Sequence, residues 1–180
     1  MGNKAGWLTL YSGIAGGADV ILIPEIPYEI ERVAKVVETR AKAGKSFSIL
    51  AVAEGAMDKE EAKMKKKERE AKRAASPQSI SPRIAAQLQE LAGVEARAVI
   101  PGHIQRGGSP SAYDRVLSTQ FGVHAAELIR DGIFGVSVAL VGNTITHNPL
   151  SEIAGVPKLV PPDHQMIQIA RNIGISFGAK

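Results

Sequence analysis

The sequence predicts an α/β protein in which helices cover both faces of a mostly parallel sheet, a three-layer α/β/α arrangement. Aliphatic runs at Val20–Ile23 and Phe47–Ala53 are separated by a segment of helical apolar spacing at Ile30–Ala41. A strand, a helix and a strand within about thirty-five residues form a βαβ unit, which implies parallel strands and a right-handed crossover. Later segments continue the alternation, so the pattern favours an open sheet.

The first elements are bounded by residues that stop them. Ala5–Gly16 is predicted to be a helix because its apolar residues recur at helical intervals, and paired glycines at its end can form a C-cap. Val20–Ile23 is a continuous aliphatic run stopped by Pro24, which is typical of a buried strand. The following helix ends near Gly44, and Glu54 comes directly after the second strand.

Asp58–Ala75 is predicted to be a charged helix that begins with capping-box spacing between Asp58 and Glu61. It contains eight Lys or Arg and five Asp or Glu, which accounts for three of the net +4 charges. No aromatic residue is interleaved to stack on bases, so nucleic-acid binding is not predicted. Such a mixed run is typical of a solvated helix with ion pairs four residues apart, here Glu61–Lys65 and Glu68–Lys72.

The second half of the chain alternates apolar segments with loops rich in serine, proline or glycine. A loop at Ser76–Ser81 precedes a helix that Gly93 ends. The predicted elements are, in order, a helix from Ser81, a strand Arg97–Ile100, a loop His103–Gly108, a helix Ser111–Arg130, a buried strand Val136–Val141, a short amphipathic piece Asn148–Ile153, and a last helix that Asp163 caps and that ends at Asn172.

The composition excludes several classes of protein. Cysteine is absent, which excludes disulfides, thiolate chemistry and the usual zinc sites. No apolar run approaches the length of a membrane span, and the N-terminus lacks the pattern of a secretory signal. We therefore expect a cytoplasmic protein that binds neither membrane nor nucleic acid.

The most informative stretch is the motif GHIQRGGSP, from Gly102 to Pro110. It places His103 and Arg106 three positions apart, just after an apolar run. Arginine can donate to two phosphate oxygens at once and histidine adds a directed hydrogen bond, so the pair suits a phosphate monoester. Ser109 is predicted to be the N-cap of the next helix, with Pro110 at its first position. A strand-to-helix turn with both side chains solvated is the alternative.

Glu54 and the loop His103–Gly108 are predicted to lie at the same edge of the sheet. Each follows the carboxyl end of a predicted strand. In open α/β sheets, ligands bind beyond the carboxyl ends of the strands. The sequence therefore predicts that both face one binding crevice.

Read in full, GHIQRGGSP resembles the sugar-phosphate loop of the 6-phosphofructokinase family. Met1-Gly2-Asn3 is similar to that family's Met-Gly-Arg turn, and Gly13–Asp19 and Ile23-Pro24-Glu25 also resemble family motifs. The resemblance extends over nearly the whole chain, but over only about the C-terminal half of a family member. It implies a phosphofructokinase-like fold that is incomplete, with the N-terminal nucleotide-binding part absent.

The resemblance implies a substrate, fructose 6-phosphate, and roles for particular residues. His103 and Arg106 would hold the sugar phosphate, and Glu54 would accept hydrogen bonds from the sugar hydroxyls. Arg97 would reach the phosphate bound by a neighbouring subunit, which implies a homo-oligomer, either a dimer or a tetramer. The implied substrate-binding residues are Met1, Gly2, Asn3, Glu54, Arg97, His103, Gln105 and Arg106.

The resemblance also divides the chain into two parts. Residues 1–105 would form the sugar-phosphate-binding lobe. The segment between Glu54 and Arg97 is longer than in compact bacterial members, and the additional residues are a charged helical insertion at 58–80. Residues 106–180 would form a C-terminal segment that returns to the donor-binding lobe. We expect the insertion to be solvated surface or a subunit contact, and His124, His147 and His164 to be structural.

The donor side of the family's site has no recognisable counterpart in this sequence. The family binds its donor and magnesium through a Gly-Gly-Asp motif, and its catalytic base is the aspartate of a Thr-Ile-Asp-Asn-Asp motif; both precede the half that resembles this chain. The resemblance thus implies Mg²⁺ and ATP or pyrophosphate for the full enzyme, none of them bound by a motif seen here. Asn3 also replaces the family's usual arginine, which removes a positive charge near the phosphoryl-transfer region.

The implied function is glycolytic phosphoryl transfer to fructose 6-phosphate, giving fructose 1,6-bisphosphate. This chain would supply the substrate-binding half, and alone it is expected to be inactive. One alternative is a truncated, non-catalytic subunit that binds a sugar phosphate or a partner. Another is a basic interaction module acting through Asp58–Arg73, which would bind polyanions in a salt-dependent way.

Overall fold

The computed structural model describes residues 1–180, which form two compact units. The first unit comprises Met1–Ile100 together with Lys158–Lys180, and the second comprises Pro101–Pro157. The last 23 residues therefore pack with the first hundred rather than with the segment that precedes them. The assignment of 106–180 to a donor-binding lobe stays a prediction.

A parallel pair of strands forms the centre of the first unit. Strand β1 (Val20–Leu22) pairs in parallel with β2 (Leu50–Val52), and the helix α2 (Ile30–Lys42) connects them, as the βαβ prediction requires. On the other side of β1, the Ile21 amide donates to the Ser176 carbonyl at 2.8 Å. Strand β2 is shorter than predicted, because only residues 50–52 lie beside β1, and Phe47 is exposed.

Alternation along β1 produces the predicted three layers within this unit. Ile21 packs with α1 (Trp7–Ala15) and α8 (Gln165–Asn172), whereas Val20 and Leu22 pack with α2 and α5 (Ile80–Ala92). Successive strand side chains point to opposite faces, so both faces of the sheet are covered by helices. Each fully buried aliphatic side chain contributes roughly 1.5–3 kcal/mol. The predicted α/β class is thereby confirmed.

The predicted end of α5 is confirmed, and the predicted N-cap of α8 is wrong. Gly93 ends α5 with φ of 63°, a left-handed conformation that favours glycine. Asp163 was predicted to cap α8, but His164 is the N-cap, and its Nδ1 accepts from the Met166 amide at 3.2 Å. The His164 ring also packs edge-on against Trp7, with ring centroids 5.0 Å apart. This histidine is structural, as predicted.

The predicted single helix at 58–75 is instead two helices, α3 (Lys59–Lys63) and α4 (Lys66–Ala75). The Arg73 guanidinium lies 3.0 Å from the Glu61 carboxylate. In one continuous helix these residues would be separated by about 18 Å along the axis, at 1.5 Å per residue. The chain must therefore break between them, and it does so at the extended residues Met64 and Lys65.

The second unit consists of the long helix α6 (Ala112–Arg130), an antiparallel hairpin and the short helix α7 (Leu150–Ile153). Strand β3 (Val136–Val141) is the predicted strand, but it is half-buried to exposed rather than buried, and it pairs with the unpredicted β4 (Thr144–Pro149). Gly142, with φ of 61°, begins the two-residue turn between them, as in type II′ hairpins.

Two histidines connect the long helix of the second unit to its hairpin. His124 Nε2 lies 3.2 Å from His147 Nδ1, which joins α6 to β4 and gives both histidines a structural contact.

One predicted strand is not present. Arg97–Ile100 does not form a strand, because no other strand of the chain pairs with it, and Val99 is largely exposed. None of the helices combines the length and apolarity that crossing a bilayer requires.

Candidate functional site

Four predicted site residues lie together at the carboxyl end of β2. The Glu54 amide donates to the Met1 carbonyl at 3.0 Å, and the next amide, of Gly55, donates to the Gly2 carbonyl at 3.0 Å. These two bonds hold the turn that contains Asn3 against the end of the strand. The Glu54 side chain is 59% exposed and its Oε2 lies 3.7 Å from the Met1 amino group, a long contact that still allows the carboxylate to accept hydrogen bonds from a ligand.

The turn and the strand end approach so closely that only glycine fits at position 55. A Cβ atom on Gly55 would overlap the Asn3 carbonyl oxygen and lie 2.6 Å from the Asn3 carbonyl carbon. Both are backbone atoms, which cannot move away without displacing the turn. Gly55 therefore helps to form the candidate site, and the sequence pattern by itself does not identify it.

We predict that Gly55→Ala lowers the stability of the protein by about 1–3 kcal/mol, because the added methyl group forces the Met1–Asn3 turn away from β2. Urea unfolding measures the change. Gly122→Ala is the control: its added Cβ meets nothing within 4 Å, and within α6 it is expected to be neutral or stabilising. Equal stabilities of the two variants would contradict the close packing at Gly55.

The start of α1, which follows the turn, is fixed by a carboxylate. Glu25 Oε1 accepts from the Gly6 amide at 2.9 Å and from the Val160 amide at 2.9 Å. A negative charge at a helix N-terminus is favourable because the first amides have no partner within the helix. Glu25 therefore holds the segment after the Met1–Asn3 turn in place.

A cavity of about 570 Å³ opens beside Glu54 within the first unit. Asn3 and Glu54 line one part of it, and the insertion lines another. From its sequence the insertion is predicted to be solvated surface or a subunit contact, so its place beside two predicted site residues is a further finding. The charged side chains that line the cavity are Lys4, Glu54, Lys66, Arg69, Glu70, Arg73 and Arg83.

A buried ion cluster anchors the insertion to the rest of the unit. The Glu61 side chain is 0% exposed and accepts from Arg73 at 3.0 Å and from Arg83 at 2.7 Å. Arg73 also donates to the Ala56 carbonyl at 2.7 Å, so one guanidinium links α4 to α3 and to the loop after β2. The predicted solvated pair between Glu61 and Lys65 is wrong, because the helix breaks between them and Glu61 turns inward.

The cluster sets the ionisation of Glu61. Burial by itself raises the pKa of Glu61, but the hydrogen bonds and charges of Arg83 and Arg73 together outweigh it and hold the pKa below its usual value. The first half of the predicted capping box is present, since the Asp58 carboxylate accepts from the Glu61 amide at 2.7 Å. The Glu61 side chain does not complete the box because the two arginines bind it.

Arg97 lies in the first unit, apart from this cavity. Its guanidinium pairs with Glu95, at 2.5 Å, and both side chains are strongly exposed. An exposed, locally paired arginine is accessible to a neighbouring subunit. Its role across an interface stays a prediction.

His103, Gln105 and Arg106 lie on one exposed 3₁₀ turn, Gly102–Arg106, in the second unit. Side chains three residues apart eclipse each other on a 3₁₀ helix, so His103 and Arg106 share one side of the turn. Neither side chain forms a hydrogen bond or an ion pair within the chain. Gly102 and Gly108, with φ of 57° and 94°, frame the turn in conformations that favour glycine.

The helix after the turn agrees closely with the predicted range Ser111–Arg130, but its N-cap lies two residues after the predicted Ser109. Ser111, not Ser109, is the N-cap of α6, and it forms a full capping box with Asp114. Hydrogen bonds from the Ser111 side chain and backbone lower the pKa of Asp114. Asp114 three residues after Ser111 is the sequence signal for this cap, and it makes Gly107–Pro110 a loop.

Comparison with known proteins points to a single family. A sequence-family model described as Phosphofructokinase matches residues 1–129. An ATP-dependent 6-phosphofructokinase of Spirochaeta thermophila is 49% identical over 182 residues, covering 99% of this chain and 49% of that protein. A pyrophosphate–fructose 6-phosphate 1-phosphotransferase of Amycolatopsis methanolica is 44% identical over 165 residues, covering 91% and 48%. The chain thus spans about half the length of these curated relatives.

The fold has a solved counterpart. A pyrophosphate-dependent phosphofructokinase from Marinobacter aquaeolei superposes with a TM-score of 0.72 at 22% identity, covering 98% of this chain and 46% of that one. At this identity the match concerns the fold alone, and it agrees with the layered α/β arrangement described above.

Proposed function

Because this chain belongs to the phosphofructokinase family, we propose that it provides the substrate-binding half of a 6-phosphofructokinase. The enzyme would transfer a phosphoryl group to fructose 6-phosphate and form fructose 1,6-bisphosphate. The observation that supports this most is the exposed turn Gly102–Arg106, on which His103 and Arg106 share one side with no partner of their own.

The turn is suited to the 6-phosphate of the sugar. The guanidinium of Arg106 would donate to two phosphate oxygens at once, and His103 would donate one directed hydrogen bond to a third. Gln105, on the same turn, offers an amide that can both donate and accept. The adjacent glycines allow the backbone to come close to the ligand.

The Met1–Asn3 turn and Glu54 would bind the sugar itself. A carboxylate accepts hydrogen bonds only, so Glu54 suits hydroxyl groups rather than a phosphate. The close contact at Gly55 holds Asn3 beside it. Together they would orient the sugar for attack on the donor, a positioning role that is a large part of phosphoryl-transfer catalysis.

The donor is proposed to be ATP or pyrophosphate. The relatives named above include one protein of each kind. No group of three or more His, Cys, Asp or Glu side chains converges in this chain, and no step here depends on a magnesium ion. The proposal includes a homo-oligomeric assembly in the cytoplasm, in which the exposed Arg97 would reach a neighbouring subunit's phosphate.

Calorimetric titration of the purified chain with fructose 6-phosphate tests the proposal, with unphosphorylated fructose as the matched ligand. We expect the phosphorylated sugar to bind and fructose to bind much more weakly, because the phosphate-binding turn then has no partner. Equal binding of both sugars, or of neither, would contradict the assignment.

A coupled assay with ATP or pyrophosphate separates binding from turnover. Binding without turnover by this chain, and turnover when it is joined to the upstream half of a relative, would support its role as half of an enzyme. Binding without turnover in both cases would favour the non-catalytic sugar-phosphate-binding subunit.

A further inference from the structure

The cavity beside Glu54 has an excess of positive charge. Five lysine or arginine side chains line it, against the carboxylates of Glu54 and Glu70. Of the five, Arg73 and Arg83 share the buried carboxylate of Glu61. The cations that remain are on the Met1–Asn3 side and on the first turns of α4.

Arg69 is the lining arginine that has no carboxylate partner. Its Nη1 contacts only the Met57 sulfur at 3.8 Å and the Glu61 carbonyl at 3.5 Å, both long contacts. The side chain is half-buried, so it has lost part of its water, and most of its five N–H donors remain unused. A partly desolvated cation of this kind is stabilised when an anion enters the cavity.

The ion cluster holds Arg69 in this position. Arg73 is one turn further along α4, on the same face, and it is bound to both Ala56 and Glu61. Helix α4 is thereby fixed to the loop that follows Glu54. The donor group of Arg69 is therefore preorganised at the cavity, so less side-chain entropy is lost when a ligand binds.

We propose that Arg69, supported by Lys66 at the start of α4, binds a phosphate group in the cavity shared with Asn3 and Glu54. The charged insertion is then part of the ligand-binding site rather than solvated surface alone. Lys66 lies 3.9 Å from Glu70, a long, exposed pair that leaves the lysine available. The identity of the ligand rests on the proposed function. Because the turn Gly102–Arg106 is proposed to hold the 6-phosphate of the sugar, the phosphate bound here is that of the phosphoryl donor, and a sugar phosphate bound here instead would replace the assignment to the turn.

Affinities of the purified chain for fructose 6-phosphate and for inorganic pyrophosphate test this proposal. The variants are Arg69→Ala, Arg69→Gln and Lys67→Ala. Lys67 is the matched control, because it is an exposed cation on α4 that does not line the cavity. Arg69→Gln keeps much of the side-chain length in case the alanine variant fails to fold. Arg106→Ala is included to test the turn Gly102–Arg106 separately.

We expect Arg69→Ala and Arg69→Gln to weaken the binding of pyrophosphate about tenfold or more, with Lys67→Ala close to the unchanged protein. A loss confined to fructose 6-phosphate assigns the bound group to the sugar, and a loss confined to pyrophosphate assigns it to the donor.

If the Arg69 variants bind both ligands as Lys67→Ala does, the proposal for the insertion is overturned. A loss of fructose 6-phosphate affinity in Arg106→Ala would then leave the proposed function standing. An unchanged protein that binds neither ligand would overturn both.

Discussion

Arg106→Ala is expected to weaken the affinity of the protein for fructose 6-phosphate about 10- to 150-fold. Hydrogen bonds to charged groups are worth roughly 1.5–3 kcal/mol, and each 1.4 kcal/mol changes a dissociation constant tenfold. The loss is expected to be large because Arg106 has no partner within the chain, so its donors are free for the ligand. Calorimetric titration with fructose 6-phosphate measures it.

Two matched variants show whether the loss of affinity is specific to the turn Gly102–Arg106. Arg106→Lys keeps the positive charge but not the planar pair of donors, so we expect an intermediate affinity. Arg130→Ala removes an arginine from the same unit whose guanidinium is exposed and paired with Asp131 at 2.8 Å, so the affinity should not change. Similar affinities of Arg106→Ala and Arg130→Ala would mean that the turn does not bind the phosphate.

The layers of the first unit could be predicted because local patterns determine them. The aliphatic run at Val20–Ile23 and the helical spacing after Ile30 predict a buried strand and a helix that packs on it, and both are present. The motif GHIQRGGSP predicts a compact turn, because its glycines and its spacing of His103 and Arg106 are all local, and phosphate binding by that turn stays a prediction. Such features need no knowledge of distant contacts.

The features that were missed depend on contacts between distant residues. Glu61 has the same sequence surroundings as the exposed acidic residues of its helix, but Arg83, 22 positions later, draws it into the interior. The strand predicted at Arg97–Ile100 has no partner strand in the chain, and a strand forms only where another can pair with it. Gly55 is required by its contact with Asn3, which only the folded arrangement brings close.

The second large effect is expected at Glu61. Glu61→Gln should lower the free energy of unfolding by about 3 kcal/mol, because it leaves two arginines sharing one neutral amide in place of a buried carboxylate. The expected loss lies at the lower end for broken buried pairs, since both guanidinium groups retain some exposure to water and can recover hydration. Urea unfolding monitored by circular dichroism measures the difference.

Glu60→Gln is the matched control, because it makes the same chemical change one residue earlier on α3. Glu60 pairs with Lys63 at 2.7 Å, but both side chains are strongly exposed, so water and salt screen the pair and stability should barely change. If Glu60→Gln and Glu61→Gln destabilise the protein equally, the buried cluster is not what holds the insertion in place.

The effect of Glu61→Gln on stability is expected to depend on pH, and this dependence distinguishes a buried charge from simple packing. The pKa of Glu61 is lower in the folded protein than its usual value of 4.5, so the unfolded chain binds the proton more readily. The stabilisation by the cluster is therefore fully present above about pH 4.5 and is lost as the pH falls through the lowered pKa. We expect the stability difference between the unchanged protein and Glu61→Gln to be constant near neutral pH and to shrink below pH 4.5. A difference that stays constant across this range would show that the carboxylate acts through its shape and not through its charge.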